Sequence, residues 1–113
     1  MPTILKQRAR ERSTFAVSAM FIDERGSAVT PDTLTYTLTD PYGNVINNRI
    51  TATITPATAV VVGMTNNDLQ LSGYSGNLRW LLFEGTYNSV TLGTGQSLRD
   101  NVGFYIDDLV KVL

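Results

Sequence analysis

The chain has 113 residues, a net charge of −1, 42% apolar and only 17% charged residues, and neither histidine nor cysteine. That length bounds one domain able to bury a real core, and the missing cysteines exclude a disulfide framework, thiol chemistry and a thiolate-bound metal. Fifteen threonines and nine glycines stand where charge usually does, and because threonine's branched Cβ suits a pleated surface, the composition points to an all-β protein.

Residues 1–13, MPTILKQRARERS, read as a basic N-terminal arm. Lys6, Arg8, Arg10 and Arg12 against Glu11 give it +3, leaving −4 on the body at 14–113. Ile4 and Leu5 are its strongly apolar members. Arg8, Arg10 and Arg12 recur at period two, so an extended arm points all three the same way. The arm has no core of its own and is expected to be disordered in the isolated chain, ordering only against a partner. It lacks the apolar stretch of a secretory signal, and no run approaches the ~18 residues that span a bilayer. A soluble chain made inside a cell is expected.

The segment TFAVSAMFI, Thr14 to Ile22, alternates Phe15, Val17, Ala19 and Phe21 on one face, and Met20 with Ile22 suggests burial on both sides near its end. DERGSAV is a charged turn. Leu34, Tyr36 and Leu38 then alternate with Thr33, Thr35, Thr37 and Thr39, a strand with one buried and one wet face. Asp40-Pro41-Tyr42-Gly43 is a turn by its residue types. Beyond it Ile46, Ile50, Ala52 and Ile54 share a face that also carries Asn48, which predicts a bulge or strand end near Asn47-Asn48.

AVVVGM supplies another short strand. TNNDLQL, Thr65 to Leu71, is the one candidate helix, a single turn with a capping-box-like pair at Thr65 and Asp68. NLRWLLFEGTY, Asn77 to Tyr87, is the strongest core strand. Arg79, Leu81, Phe83 and Gly85 lie on one side and Leu78, Trp80, Leu82 and Glu84 on the other, and its apolar density predicts cover on both faces with Trp80 buried. NSVTLGTGQSLRD reads as a loop or ragged hairpin, and Val102, Phe104 and Ile106 alternate along the closing strand. About seven strands at this spacing predict an immunoglobulin-like two-sheet β-sandwich, with a small closed barrel as the alternative.

Candidate chemistry is thin. Without histidine or cysteine there is no base near neutral pH and no thiolate nucleophile. Asp107 and Asp108 are adjacent, so in a strand they face opposite sides. Glu84, flanked by Trp80 and Leu82, would have a raised pKa if buried; a strand-end glutamate that reaches solvent or pairs with Arg79, Arg49 or Arg99 is the plainer reading. No calcium loop, soft metal ligand or phosphate-binding glycine loop appears. No enzyme activity, cofactor or metal is expected. Four basic residues without interleaved aromatics give weak phosphate contact at most, so neither nucleic acid nor a membrane is expected as partner. An arm reaching across a neighbouring protein accounts for the charge more simply.

The run RARERSTFAVSAMFIDERGSAVTPDTLTYTLTDPYGNVINNR, with FYIDDLVKVL at the end, resembles the small immunoglobulin-like structural proteins of tailed bacteriophages. The likeness runs from about Arg8 to the end of the chain and rests on patterns of fold. It implies a virion structural protein, made in the host cytoplasm, with other virion proteins as partners: capsid, portal or neck, or tail subunits, and copies of itself. Ile4, Leu5, Lys6, Arg8, Arg10 and Arg12 are then the partner-binding residues. The most direct expectation is capsid decoration or cementing through the arm and a sheet edge, with a neck, tail or baseplate position as the alternative. A different class also fits, a carbohydrate- or surface-binding sandwich presenting Tyr42, Tyr74 and Tyr87 on its loops.

Overall fold

The structure, a computed structural model, describes residues 3–71 and 77–107. Its strands are β1 (Thr3–Ile4), β2 (Ala9–Arg10), β3 (Thr14–Met20), β4 (Thr33–Thr39), β5 (Ala52–Thr53), β6 (Ala59–Thr65), β7 (Leu78–Ser89) and β8 (Gly93–Asp107), with one 3₁₀ turn over Asn66–Leu69. Among the described residues there is no α-helix. The all-β expectation holds.

The strands form a large mixed sheet in the order β1-β8-β7-β4-β5, with β2 also on β8, and a second sheet of β3 and β6 alone. Pairing is antiparallel within β4-β7-β8 and parallel where β1 and β2 join β8. The core lies between the two-stranded ribbon and the inner face of the large sheet. The ribbon contributes Phe15, Val17, Val60, Val62 and Met64, and the sheet contributes Leu34, Leu38, Leu81, Phe83, Val102, Phe104 and Ile106, all buried. Phe15 meets Phe104 at 5.2 Å between ring centroids, and Phe21 stands edge-on to Phe83 at 5.8 Å. Those ring pairs hold the layers together at both ends, each adding about 0.5–1.5 kcal/mol beyond its burial.

Several local readings hold for physical reasons visible here. Alternation along β3 and β6 places every second side chain inward. Asp40 Oδ1 accepts from the backbone N–H of Tyr42 and of Asn44, both at 2.9 Å, closing the turn that Pro41 begins. Asn47 and Asn48 take φ of +52° and +57°, a left-handed pair that breaks the second arm of that ribbon and leaves only the two-residue β5. The one-turn helix at Thr65–Leu71 is a 3₁₀ turn, with the Asp68 carboxylate accepting from Thr65 N–H at 3.1 Å. The polar stretch after Tyr87 is the paired tip of the β7–β8 hairpin, irregular between Tyr87 and Ser89.

Two expectations are corrected. Trp80 is not in the core. It lies partly buried on the outer face of the large sheet, while Arg79, Leu81 and Phe83 face inward with no solvent exposure. Gly103 makes the Trp80 position possible, because a Cβ there would stand 2.7 Å from the indole Cζ3. Met20 and Ile22 are 67% and 57% exposed, so β3 is covered on one side only. The strands fall into two sheets, the second only two strands wide.

Candidate functional site

The basic arm lies along the outer edge of β8. Thr3 and Ile4 are in register with Val102 and Gly103, and Ala9 and Arg10 with Ile106 and Asp107. Between these two short pairings Leu5 N–H donates to Gly103 O at 2.8 Å, and beyond them Glu11 N–H donates to Asp107 O at 3.0 Å. Leu5 is half-buried against the core and Ala9 fully buried, whereas Ile4 is 46% exposed and Lys6, Arg8 and Arg10 are exposed. So the arm is an edge of the folded sheet in the isolated chain, where a disordered arm was expected.

Its basic residues do not form one outward row. The Arg8 guanidinium is ion-paired to Asp107 and stacks over the Tyr105 ring at 5.1 Å from its centroid. Both partners of that ion pair are about half exposed, which limits its worth to ~0–1 kcal/mol. Arg10 ends β2. Arg12 sits in the tight turn beyond it at φ +57°, and its Nη2 donates to Asn67 Oδ1 at 3.4 Å. The turn is closed by Ser13 N–H to Arg10 O and Arg12 N–H to Leu69 O, at 3.1 and 3.2 Å. The arm had a signal in its charge; its pairing did not, because the partner strand lies at the far end of the chain.

A second feature is the outer face of the large sheet. A groove of ≈ 470 Å³ there is lined by Thr39, Asp40, Pro41, Trp80, Leu82 and Asn101, with Arg99 at its side. Arg99 Nε and Glu84 Oε2 are 3.4 Å apart across the strands. Glu84 is therefore paired to Arg99, one of the arginines the plainer reading offered, although it lies within β7 and not at a strand end. Of the tyrosines considered for surface recognition, Tyr42 is 78% exposed, Tyr87 is buried with its hydroxyl donating to Glu24 Oε1 at 2.9 Å, and Tyr74 lies outside the described residues.

The most developed polar cluster centres on Asp68, buried at 1% exposure. Arg49 donates to it in bidentate fashion, Nε to Oδ1 at 2.9 Å and Nη2 to Oδ2 at 3.1 Å, and Asn47 Nδ2 donates to Oδ1 at 2.9 Å. Arg49 Nη1 also reaches the Tyr36 hydroxyl at 3.3 Å. Burial pushes the Asp68 carboxyl up, and the bonds from Arg49, Asn47 and Thr65 N–H outweigh it and hold it below the usual carboxylate range. The cluster fastens the irregular loop after the Asp40 turn to the 3₁₀ turn. Its donors are consumed in doing so, which makes it structural.

Arg79 is a further buried charge. It donates from Nη1 to Leu78 O at 2.9 Å and from Nη2 to Gln70 O at 3.3 Å. Burial lowers its pKa while the charge of Asp40 opposes that. Among the described residues no three histidine, cysteine or acidic side chains come together as metal ligands, and no helix is long and apolar enough to cross a membrane. No family model, curated protein or solved structure matches the chain.

Proposed function

We propose that this chain is a non-enzymatic structural protein of a tailed-bacteriophage particle, docking on neighbouring subunits through its basic arm and the sheet edge that the arm occupies. The capsid surface is the favoured position and the neck, tail or baseplate the alternative. The observation that carries the reading is the arm itself: a charged segment with only Leu5 and Ala9 turned to the core, fastened to the body's edge by two pairings of two residues each. The motif likeness supports the same class. So do Met20 and Val61, exposed on the outward face of the β3–β6 ribbon, with the exposed Ile22 just beyond it, where a neighbouring subunit can cover them. The finer immunoglobulin-like description belongs to this proposal; two layers packed face to face favour it, and the narrow second layer and parallel edge strands are where the chain departs from it.

The test is deletion of residues 1–13 followed by a particle-incorporation assay, with circular dichroism on the purified truncated chain. Loss of incorporation by a folded body supports the reading. A folded truncation that assembles normally overturns docking through the arm. A surface-binding module is the second reading, favoured by the partly exposed Trp80 beside a polar-rimmed groove. A glycan array separates it from the first.

A further inference from the structure

We propose that the arm is exchanged between copies: residues 3–11 of one chain pair with the β8 edge of another, in the same parallel register that they take on their own β8. This rests on the assembly reading above and names the arm's partner as a second copy of this chain.

Almost everything the arm grips lies on β8. Its backbone pairs with Val102–Gly103 and Ile106–Asp107. Leu5 N–H and Glu11 N–H donate to carbonyls of Gly103 and Asp107, and Arg8 takes Asp107 and the Tyr105 ring. Another copy offers the same edge, the same carboxylate and the same ring, so exchange preserves each of these contacts. What exchange gives up is confined to the hinge: Ser13 N–H to Arg10 O, Arg12 N–H to Leu69 O, and the weak Arg12–Asn67 bond.

The hinge is also the strained part. Arg12 holds φ at +57° with a full side chain, a conformation that costs an L residue energy and that a straightened linker releases. A short strained hinge between a strand and its body is the feature that favours swapping. Against it stands the high effective concentration of the arm in its own chain, on the order of millimolar for so short a tether. Exchange therefore belongs to crowded conditions such as an assembling shell, and the dilute chain is a closed monomer.

The chain has no cysteine, which permits a clean test in the full-length protein. Arg10→Cys and Asp107→Cys, prepared as separate variants carrying different mass tags, are mixed at millimolar concentration, oxidised and weighed by mass spectrometry. Exchange predicts the 10-to-107 disulfide in about tenfold excess over either 10-to-10 or 107-to-107, the ratio that roughly 1.4 kcal/mol of strand pairing sets. A statistical mixture of the three, or monomer alone, overturns the proposal. Two hinge variants push in opposite directions. Arg12→Gly accepts the left-handed turn and lowers the dimer fraction, whereas Arg12→Pro cannot adopt it and raises the fraction; equal fractions by sedimentation also overturn the proposal. If exchange fails while deletion of the arm still blocks incorporation, the assembly reading stands and the arm's partner is a different protein.

Discussion

Asp68→Asn isolates the buried carboxylate, because the amide keeps its shape and opens no cavity. In the native chain four donors converge on Asp68: Arg49 Nε and Nη2, Asn47 Nδ2 and Thr65 N–H. An amide presents one NH₂ group to that set, donor against donor, and removes the charge opposite Arg49. Breaking a buried ion pair costs ~3–5 kcal/mol. The Arg49 side chain is 40% exposed and rehydrates when released, so the expected cost falls to about 2–3 kcal/mol. For a chain of 113 residues that lowers Tm by roughly 10 °C at ~4 °C per kcal/mol. Urea unfolding at pH 7 followed by Trp80 emission reads it as a fall in midpoint at constant slope. The pH dependence is the sharper check. Because the folded-state pKa of Asp68 lies below its unfolded value, the unfolded chain binds the extra proton in the interval between the two. The stabilisation is therefore complete above the ordinary carboxylate pKa and is lost as pH falls through the folded one. Native and variant proteins should converge in stability in acid. A difference under ~0.5 kcal/mol at pH 7, the level of an exposed pair, or one that persists unchanged in acid, would refute this account.

Gly85→Ala should destabilise the chain by about 2 kcal/mol or more, since the added Cβ would stand 2.0 Å from the backbone oxygen of Thr33; Gly63→Ala, with nothing within 4 Å, should be neutral or stabilise by up to ~1 kcal/mol, and equal effects in thermal melts would contradict the strand placement. Trp80 is the sole tryptophan, so its emission should be intermediate and quenchable by acrylamide. Trp80→Ala should cost about 1–2 kcal/mol, less than the ~3–5 of a core tryptophan, and a fully blue-shifted, unquenchable spectrum would return it to the core.

How much of this was legible in the sequence depends on distance along the chain. Period-two patterns located β3 and β4, apolar runs located β6 and β7, and the residue types at Asp40–Gly43 and Asn47-Asn48 located the turn and the break, because local sterics and hydrogen bonds decide those positions. The facing of β7 was not legible. Its two rows are nearly equal in apolar content, and the row that turned inward carries arginine while the outward row carries tryptophan. Arg79 is tolerated inside because the carbonyls of Leu78 and Gln70 accept its guanidinium hydrogens, contacts that no hydropathy pattern encodes. The capping pattern at Thr65 and Asp68 was visible, but the Arg49 partner 19 residues away was not. For the arm, charge marked a functional candidate, while its seat on β8 depends on an edge that exists only once the sheet has formed.

That seat has a consequence for the order of events during synthesis. The arm leaves the ribosome before β8, and Asp107, which Arg8 grips, is 99 residues further on. At ~5–20 residues per second the arm waits roughly 5–20 s for its strand. The β7–β8 hairpin, by contrast, joins neighbours in sequence and closes within microseconds of release. The arm is thus made well before it can be placed, and each newborn chain passes through an interval with a basic strand unpaired until its own β8 edge forms.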